Sequence, residues 1–209
     1  MSPEPLPLAP WAALALFIFT TSITPGPNNL MLTVTGARFG LRATVPAMAG
    51  ILAGMSVLIG LAGAGVATLL LTAPGLESAL RALGLSYLLW LAWKLCASGA
   101  RLDSREIRRP LTTTEAILFQ FANPKAWMMA MTAASTFLPG LLPATSGDQT
   151  TATLAVALCF VLIGGPCIAC WAILGAALQC WLRQGSRLRR FNIVMGLLLA
   201  ATALGMAWV

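Results

Sequence analysis

The sequence predicts an all-α integral membrane protein in a single domain, 1–209: six transmembrane helices set out as two inverted three-helix repeats, the first and fourth helices broken by proline motifs. Three observations carry that prediction. Of the 209 residues, 58% are hydrophobic and only 9% charged, with a mean hydropathy of +0.85, more apolar than a soluble domain of this size requires. Two apolar segments about half a chain apart are interrupted, by Thr24-Pro25-Gly26-Pro27-Asn28-Asn29 and by Asn123-Pro124-Lys125. Lysine and arginine fall in short loops between apolar runs, the positive-inside pattern of membrane proteins.

A spanning helix takes about 20 apolar residues, and six segments meet that length. The first, 11–35, runs through the Pro-Gly-Pro break; each proline lacks an N–H and clashes with the preceding turn, and Thr24 is expected to cap a half-helix opening at Pro25. The second, 43–71, is long and glycine-rich, hence tilted, and its Gly50 and Gly54 form a small-xxx-small packing face. The third starts near residue 76 and ends at 94 or 96, with Glu77 and Arg81 at its outer end. The fourth, 114–138, passes through the Asn-Pro-Lys break. The fifth, 151–181, contains Gly164-Gly165-Pro166 and is expected to kink there. The last is 191–208. No internal repeat of 20–50 residues, linker or low-complexity tract divides the chain. The opening Met1-Ser2-Pro3-Glu4-Pro5 lacks the basic stretch of a cleaved leader, so the first apolar run is expected to stay as a membrane helix.

Orientation follows from the cations. Arg38 and Arg42 follow the first helix; Lys94, Arg101, Arg105, Arg108 and Arg109 follow the third; Arg183, Arg187, Arg189 and Arg190 follow the fifth. Placing these loops in the cytoplasm puts both termini outside and inserts the second half upside down relative to the first. Broken helices at membrane depth are tolerated where the freed backbone is buried in protein or lines a wet cavity, so the two breaks mark a site between the halves.

At the first break a half-helix N-terminus offers free N–H groups and partial positive charge to an anion such as a carboxylate. At the second, the ammonium of Lys125 lies deep in an apolar segment, where holding the charge costs on the order of 3 kcal/mol unless it is paired or hydrated. The +7 net charge is concentrated in loops, pointing to membrane lipid and away from nucleic acid. There is no histidine. Cys167 and Cys170 form a Cys-x-x-Cys in a lipid-depth helix without a charged neighbour to lower a thiol pKa, so they read as apolar filler. The sequence gives no basis for a cofactor, a metal site or an enzymatic centre.

The motif 24–28, the glycine-rich second helix and Asn123-Pro124-Lys125 resemble the LysE/RhtB family of amino-acid exporters over essentially the whole chain. Residues 49–56, 87–94, 135–139 and 190–194 are similar to its cysteine and O-acetylserine exporter branch. Many relatives carry an aspartate where this chain has Met55, so a role for that acid does not transfer. The resemblance implies secondary export from the cytoplasm across a bacterial inner membrane, by proton antiport, of a small neutral amino acid or derivative. The residues agree: none of the six acids (Glu4, Glu77, Asp103, Glu106, Glu115, Asp148) falls at the expected midplane, whereas Lys125 does. A zwitterion's carboxylate then meets Lys125 and the half-helix N-termini; its ammonium meets loose carbonyls and the amide oxygens of Asn28, Asn29, Gln120 or Asn123. Thr24, Pro25, Gly26, Pro27 and Pro124 complete the expected site. Threonine or homoserine export is the nearest alternative, a transmembrane thiol-disulfide carrier one of another class, and a homo-oligomer is compatible with either. If the loop charges set the orientation, a cysteine placed at Asp148 labels from outside with a membrane-impermeant maleimide. One placed at Arg105 labels only after permeabilisation, and the reverse pattern refutes the inverted arrangement.

Overall fold

Membrane hydrocarbon offers backbone groups no partner, which favours structures that satisfy them internally. The computed structural model describes residues 8–65, 74–97, 109–142, 145, 147–182 and 186–207, which are helical apart from short connections, with no strand among them. The helices are α1 (Leu8–Ile23), α2 (Pro27–Phe39), α3 (Leu41–Gly63), α4 (Pro74–Ala97) and α5 (Thr113–Ala122). Next, α6 runs from Pro124–Thr132 through a π-helical turn, Ala133–Phe137, into Leu138–Leu141; α7 is Gln149–Leu182 and α8 is Arg187–Ala207. The expectations for Glu4, Arg101, Asp103, Arg105, Glu106, Arg108 and Arg183 lie outside the described residues, as do those for the side chains of Glu77 and Arg81.

Local chemistry sets the boundaries. Gly40, at φ +84°, separates α2 from α3 in a conformation that costs glycine little. Thr112 and Glu115 form a reciprocal capping box at the start of α5, and both terminal nitrogens of Arg109 donate to Glu115 (2.8 and 2.6 Å). Asp148 caps α7 by accepting from the backbone of Thr150 and Thr151 and from the Thr151 hydroxyl, which holds its carboxyl below the usual carboxylate range. Boundaries differ from those read off hydropathy. The helix of the second segment, α3, ends at Gly63, where Gly65 takes a left-handed φ of +89° and turns the chain out of the helix; the rest of that expected segment, 66–71, lies outside the described residues. The last helix starts at Arg187, a turn early, so Arg189 and Arg190 sit on its first turn. α7 is one helix of 34 residues, and within it the turn Phe160–Gly164, at the edge of the expected kink Gly164-Gly165-Pro166, widens to π geometry. A π turn just ahead of Pro166 accommodates a residue with no N–H to give.

Among the described residues, three helices, α3, α7 and α8, are long and apolar enough to cross a membrane. The pair α1 and α2, bent by 51°, makes a fourth if counted as one span, and α4 contributes a shorter apolar stretch, Ala82–Ala97. Packing is by close backbone approach. On α2 and α7, Gly36 lies against the Ala172 carbonyl and Gly175 against that of Thr33; on α3, Gly50 meets Thr113 and Ala116 of α5, and Gly54 meets Gln120; Gly196 of α8 meets Ala92 and Cys96 of α4. The largest core cluster gathers Leu14, Ile18, Leu58, Ala130, Val156 and Phe160 from α1, α3, α6 and α7. A side chain at Gly175 would occupy the place of the Thr33 carbonyl. Gly175→Val is therefore expected to destabilise by about 1–3 kcal/mol, lowering Tm in detergent by at least roughly 2 °C. Gly205→Val, whose site is open, should leave Tm unchanged; equal Tm values for the two would refute the close-packing account.

Candidate functional site

The chain leaves α1 at Ile23 and cannot re-enter a helix at once, because Pro25 and Pro27 supply no N–H. Gly26, in extended conformation (φ −172°), is the residue before α2, and Pro27 takes the first helical position. The cap is thus Gly26 and not Thr24, and the half-helix opens at Pro27 and not at Pro25. Thr24 instead turns its hydroxyl back to the Thr21 carbonyl (3.0 Å). Glycine here leaves room for Lys125: a Cβ on Gly26 would lie 3.0 Å from both Cδ and Nζ of that lysine.

A helix end leaves its last carbonyls without intrahelical partners, and side chains from elsewhere in the fold satisfy those of α1. Asn29 Nδ2 donates to Ser22 O (2.7 Å) and Thr24 O (2.8 Å). Trp171 Nε1, from α7, donates to Ile23 O (3.1 Å). Lys125 Nζ, a hundred residues on, donates to Thr24 O (3.2 Å), Thr24 Oγ1 (2.9 Å) and Pro25 O (3.4 Å). A cation at a helix C-terminus is electrostatically favoured. The first break is therefore closed by the residue that makes the second one distinctive.

At the second break α5 ends at Ala122 and Asn123 caps α6, its Oδ1 accepting from Lys125 N (3.1 Å), with Pro124 opening the helix. Three amides bind the two breaks together. Asn28 Nδ2 donates to Gln120 Oε1 (2.9 Å), Gln120 Nε2 returns to Asn28 Oδ1 (3.1 Å), and Asn123 Nδ2 reaches the same Oδ1 (3.2 Å). Gln120 and Asn123 are fully buried, so this network stands in for solvent at both chain ruptures.

Beside the network lies a cavity of about 50 Å³, lined by Asn28, Asn29, Met55, Lys125, Met129 and Phe160 among others. It faces the N-terminal ends of α2 and α6 and one ammonium, and no carboxylate lines it. Met55 occupies its wall with an apolar side chain. Of the site residues expected from sequence, Gly26, Pro27, Asn28, Asn29, Asn123 and Lys125 line this cavity; Thr24, Pro25 and Gln120 are tied to it by hydrogen bonds, and Pro124 opens α6 beside it. Gly50 and Gly54 are on the α3 face against α5. Ser22, Met129, Phe160 and Trp171 were not legible as site residues. For Ser22 the polar run Thr20-Thr21-Ser22 before the break was the available signal; for Trp171, 148 residues from its acceptor, there was none. None of the five cysteines lines the cavity.

The comparisons with known proteins cover the same two breaks. The model of the LysE type translocator family matches residues 19–208. A cysteine/O-acetylserine efflux protein of Salmonella paratyphi A is 32% identical over 199 residues, 94% of this chain and 97% of that protein. The protein of the same name in Escherichia coli strain K12 is 30% identical over 192 residues, 92% of this chain and 94% of its own. No solved structure matches. With the match running from before the first break to within a residue of the C-terminal end, the chain belongs to the LysE type translocator family, and it is a transporter and not an enzyme.

Proposed function

We propose that this protein is a secondary exporter of a small neutral amino acid or derivative, of the cysteine and O-acetylserine kind, moving it out of the cytoplasm across a bacterial inner membrane in exchange for protons. The observation that carries the reading is the reach of Lys125 Nζ onto the Thr24 and Pro25 carbonyls across a cavity that no carboxylate lines. An arriving zwitterion inserts into that contact. Its carboxylate takes over the ammonium and the N–H ends of α2 and α6, while the carbonyls that Lys125 gives up accept from the substrate's own ammonium. A second cation on the substrate would find no counter-charge there, which disfavours lysine or arginine. The names of the relatives favour cysteine and O-acetylserine over threonine or homoserine.

The reading takes α1 with α2, and α5 with α6, as two broken spans and adds α3, α4, α7 and α8 for six in all. Reciprocal packing supports two related halves: α2 lies on α7, α5 on α3, and the third members α4 and α8 on each other. Arg38 ends α2, Lys94 ends α4, Arg109 precedes α5 and Arg187 starts α8, so these cations share the side read as cytoplasmic, opposite Asp148. Proton coupling falls to Lys125, the ionisable amine at the cavity, which exchanges its proton as substrate comes and goes.

Two measurements test this. In everted vesicles energised by a proton gradient, cysteine and O-acetylserine should be taken up saturably, with lysine and arginine not transported; transport of the basic amino acids alone would overturn the site assignment. Arginine keeps the charge but does not give up its proton, so Lys125→Arg should bind substrate yet lose gradient-driven transport. Lys125→Met should weaken binding about 10- to 100-fold, the equivalent of losing charge-assisted hydrogen bonds of about 1.5–3 kcal/mol. Normal gradient-driven transport by Lys125→Met would refute both roles.

A further inference from the structure

A second and much larger hollow, about 500 Å³, lies on the far side of α2, between α2, α4, α8 and the approach to α5. Its walls are aliphatic, with Leu30, Val34, Leu91, Leu95 and Leu199 among them. Trp90, 47% exposed, and Tyr87, 38% exposed, stand on the same groove on the outer surface of α4. Cations mark the end where α4 finishes and α5 begins. Lys94 Nζ lies 4.9 Å from the centre of the Trp90 ring and has no carboxylate partner among the described residues. Arg109 is there too, held on Glu115.

We propose that this groove binds one anionic phospholipid, an acyl chain lying along the aliphatic walls and the phosphodiester on Lys94. Along the aliphatic stretch of the groove, from Leu30 and Val34 to Leu91 and Leu199, water would give up hydrogen bonds and a zwitterionic amino acid would find few partners, the polar groups Thr35, Tyr87, Lys94, Arg109 and Glu115 standing on the remaining lining. Hydrocarbon fits it, and basic pockets between helices on the cytoplasmic side are where anionic headgroups bind. An ammonium resting on an aromatic face, with no carboxylate partner among the described residues, keeps its hydrogen-bond donors available for phosphate oxygens. The lipid would brace α2 against α4 and α8 from behind the cavity. The binding itself does not depend on which substrate is carried.

The test is native mass spectrometry of the full-length protein in detergent with dioleoyl phosphatidylglycerol or dioleoyl phosphatidylcholine. Phosphatidylglycerol should be retained at least about fivefold better, since a cation at the surface is worth about 1 kcal/mol to an anionic lipid. The preference should vanish in Lys94→Gln, and Leu91→Trp, which fills the groove, should lose both lipids. Equal retention of the two lipids by the wild type, or undiminished retention in Leu91→Trp, would overturn the proposal. So would equal protection against thermal unfolding by glycerol phosphate, which has the headgroup anion without a chain. A drop in oligomer mass on Leu91→Trp would assign the groove to a second copy of the chain instead. Should Leu91→Trp fail to fold, phosphatidylglycerol with brominated chains must quench a fraction of the wild-type fluorescence that is missing in Trp90→Phe. Equal quenching in the two proteins also refutes the site.

Discussion

Everything in this structure depends on how the backbone freed by Pro25, Pro27 and Pro124 is satisfied. An orphaned carbonyl or N–H away from water costs kilocalories, and each break exposes several. Side chains close the gap: Asn29 and Trp171 on the carbonyls at the end of α1, Lys125 on Thr24 and Pro25, and Asn123 on the Lys125 N–H of α6. These partners come from α2, α6 and α7, so the breaks exist only because the surrounding helices are in place. Loss of any one partner leaves a buried polar group bare, which explains why the network of Asn28, Gln120 and Asn123 is so fully connected.

The same contacts supply the chemistry of the site. The Lys125 ammonium rests on carbonyl oxygens, partners of partial charge. A carboxylate is a stronger partner for it, and the released carbonyls are natural acceptors for an ammonium. In the proposed recognition of a zwitterion, one set of bonds would be exchanged for another with no charge stranded at either stage. Met55 contributes by carrying no charge, since an acid on that wall would offer Lys125 a permanent partner.

Close approach of the backbone is the second requirement. Side chains can reach across the breaks only if α2 sits hard against α7 and α5 against α3, and glycine at positions 36, 50, 54 and 175 allows this. The lipid phase does little to drive helices together, so contact area at short range carries the association. The contrast between the two hollows follows: the one between breaks is small and polar on one side, while the one behind α2 is wide and aliphatic.

Much of this was legible in the sequence. Apolar runs, with so few charges, determined a helical membrane protein; the prolines located the interruptions in those runs, and the motif around residues 24–28 pointed to the family. Those properties are local, since hydropathy, a missing N–H and a motif act within a few residues. Helix ends were less legible, because a left-handed glycine at position 65 and a π turn ahead of Pro166 respond to backbone geometry that hydropathy does not register. Lys125 was singled out by its depth alone. That its ammonium closes the first break, that Trp171 caps α1, and that Gly26 rather than Thr24 precedes α2 were decided by tertiary structure. These contacts join positions about 100 to 150 residues apart, and no periodicity along a chain encodes which side chain will stand opposite a given carbonyl once helices have packed.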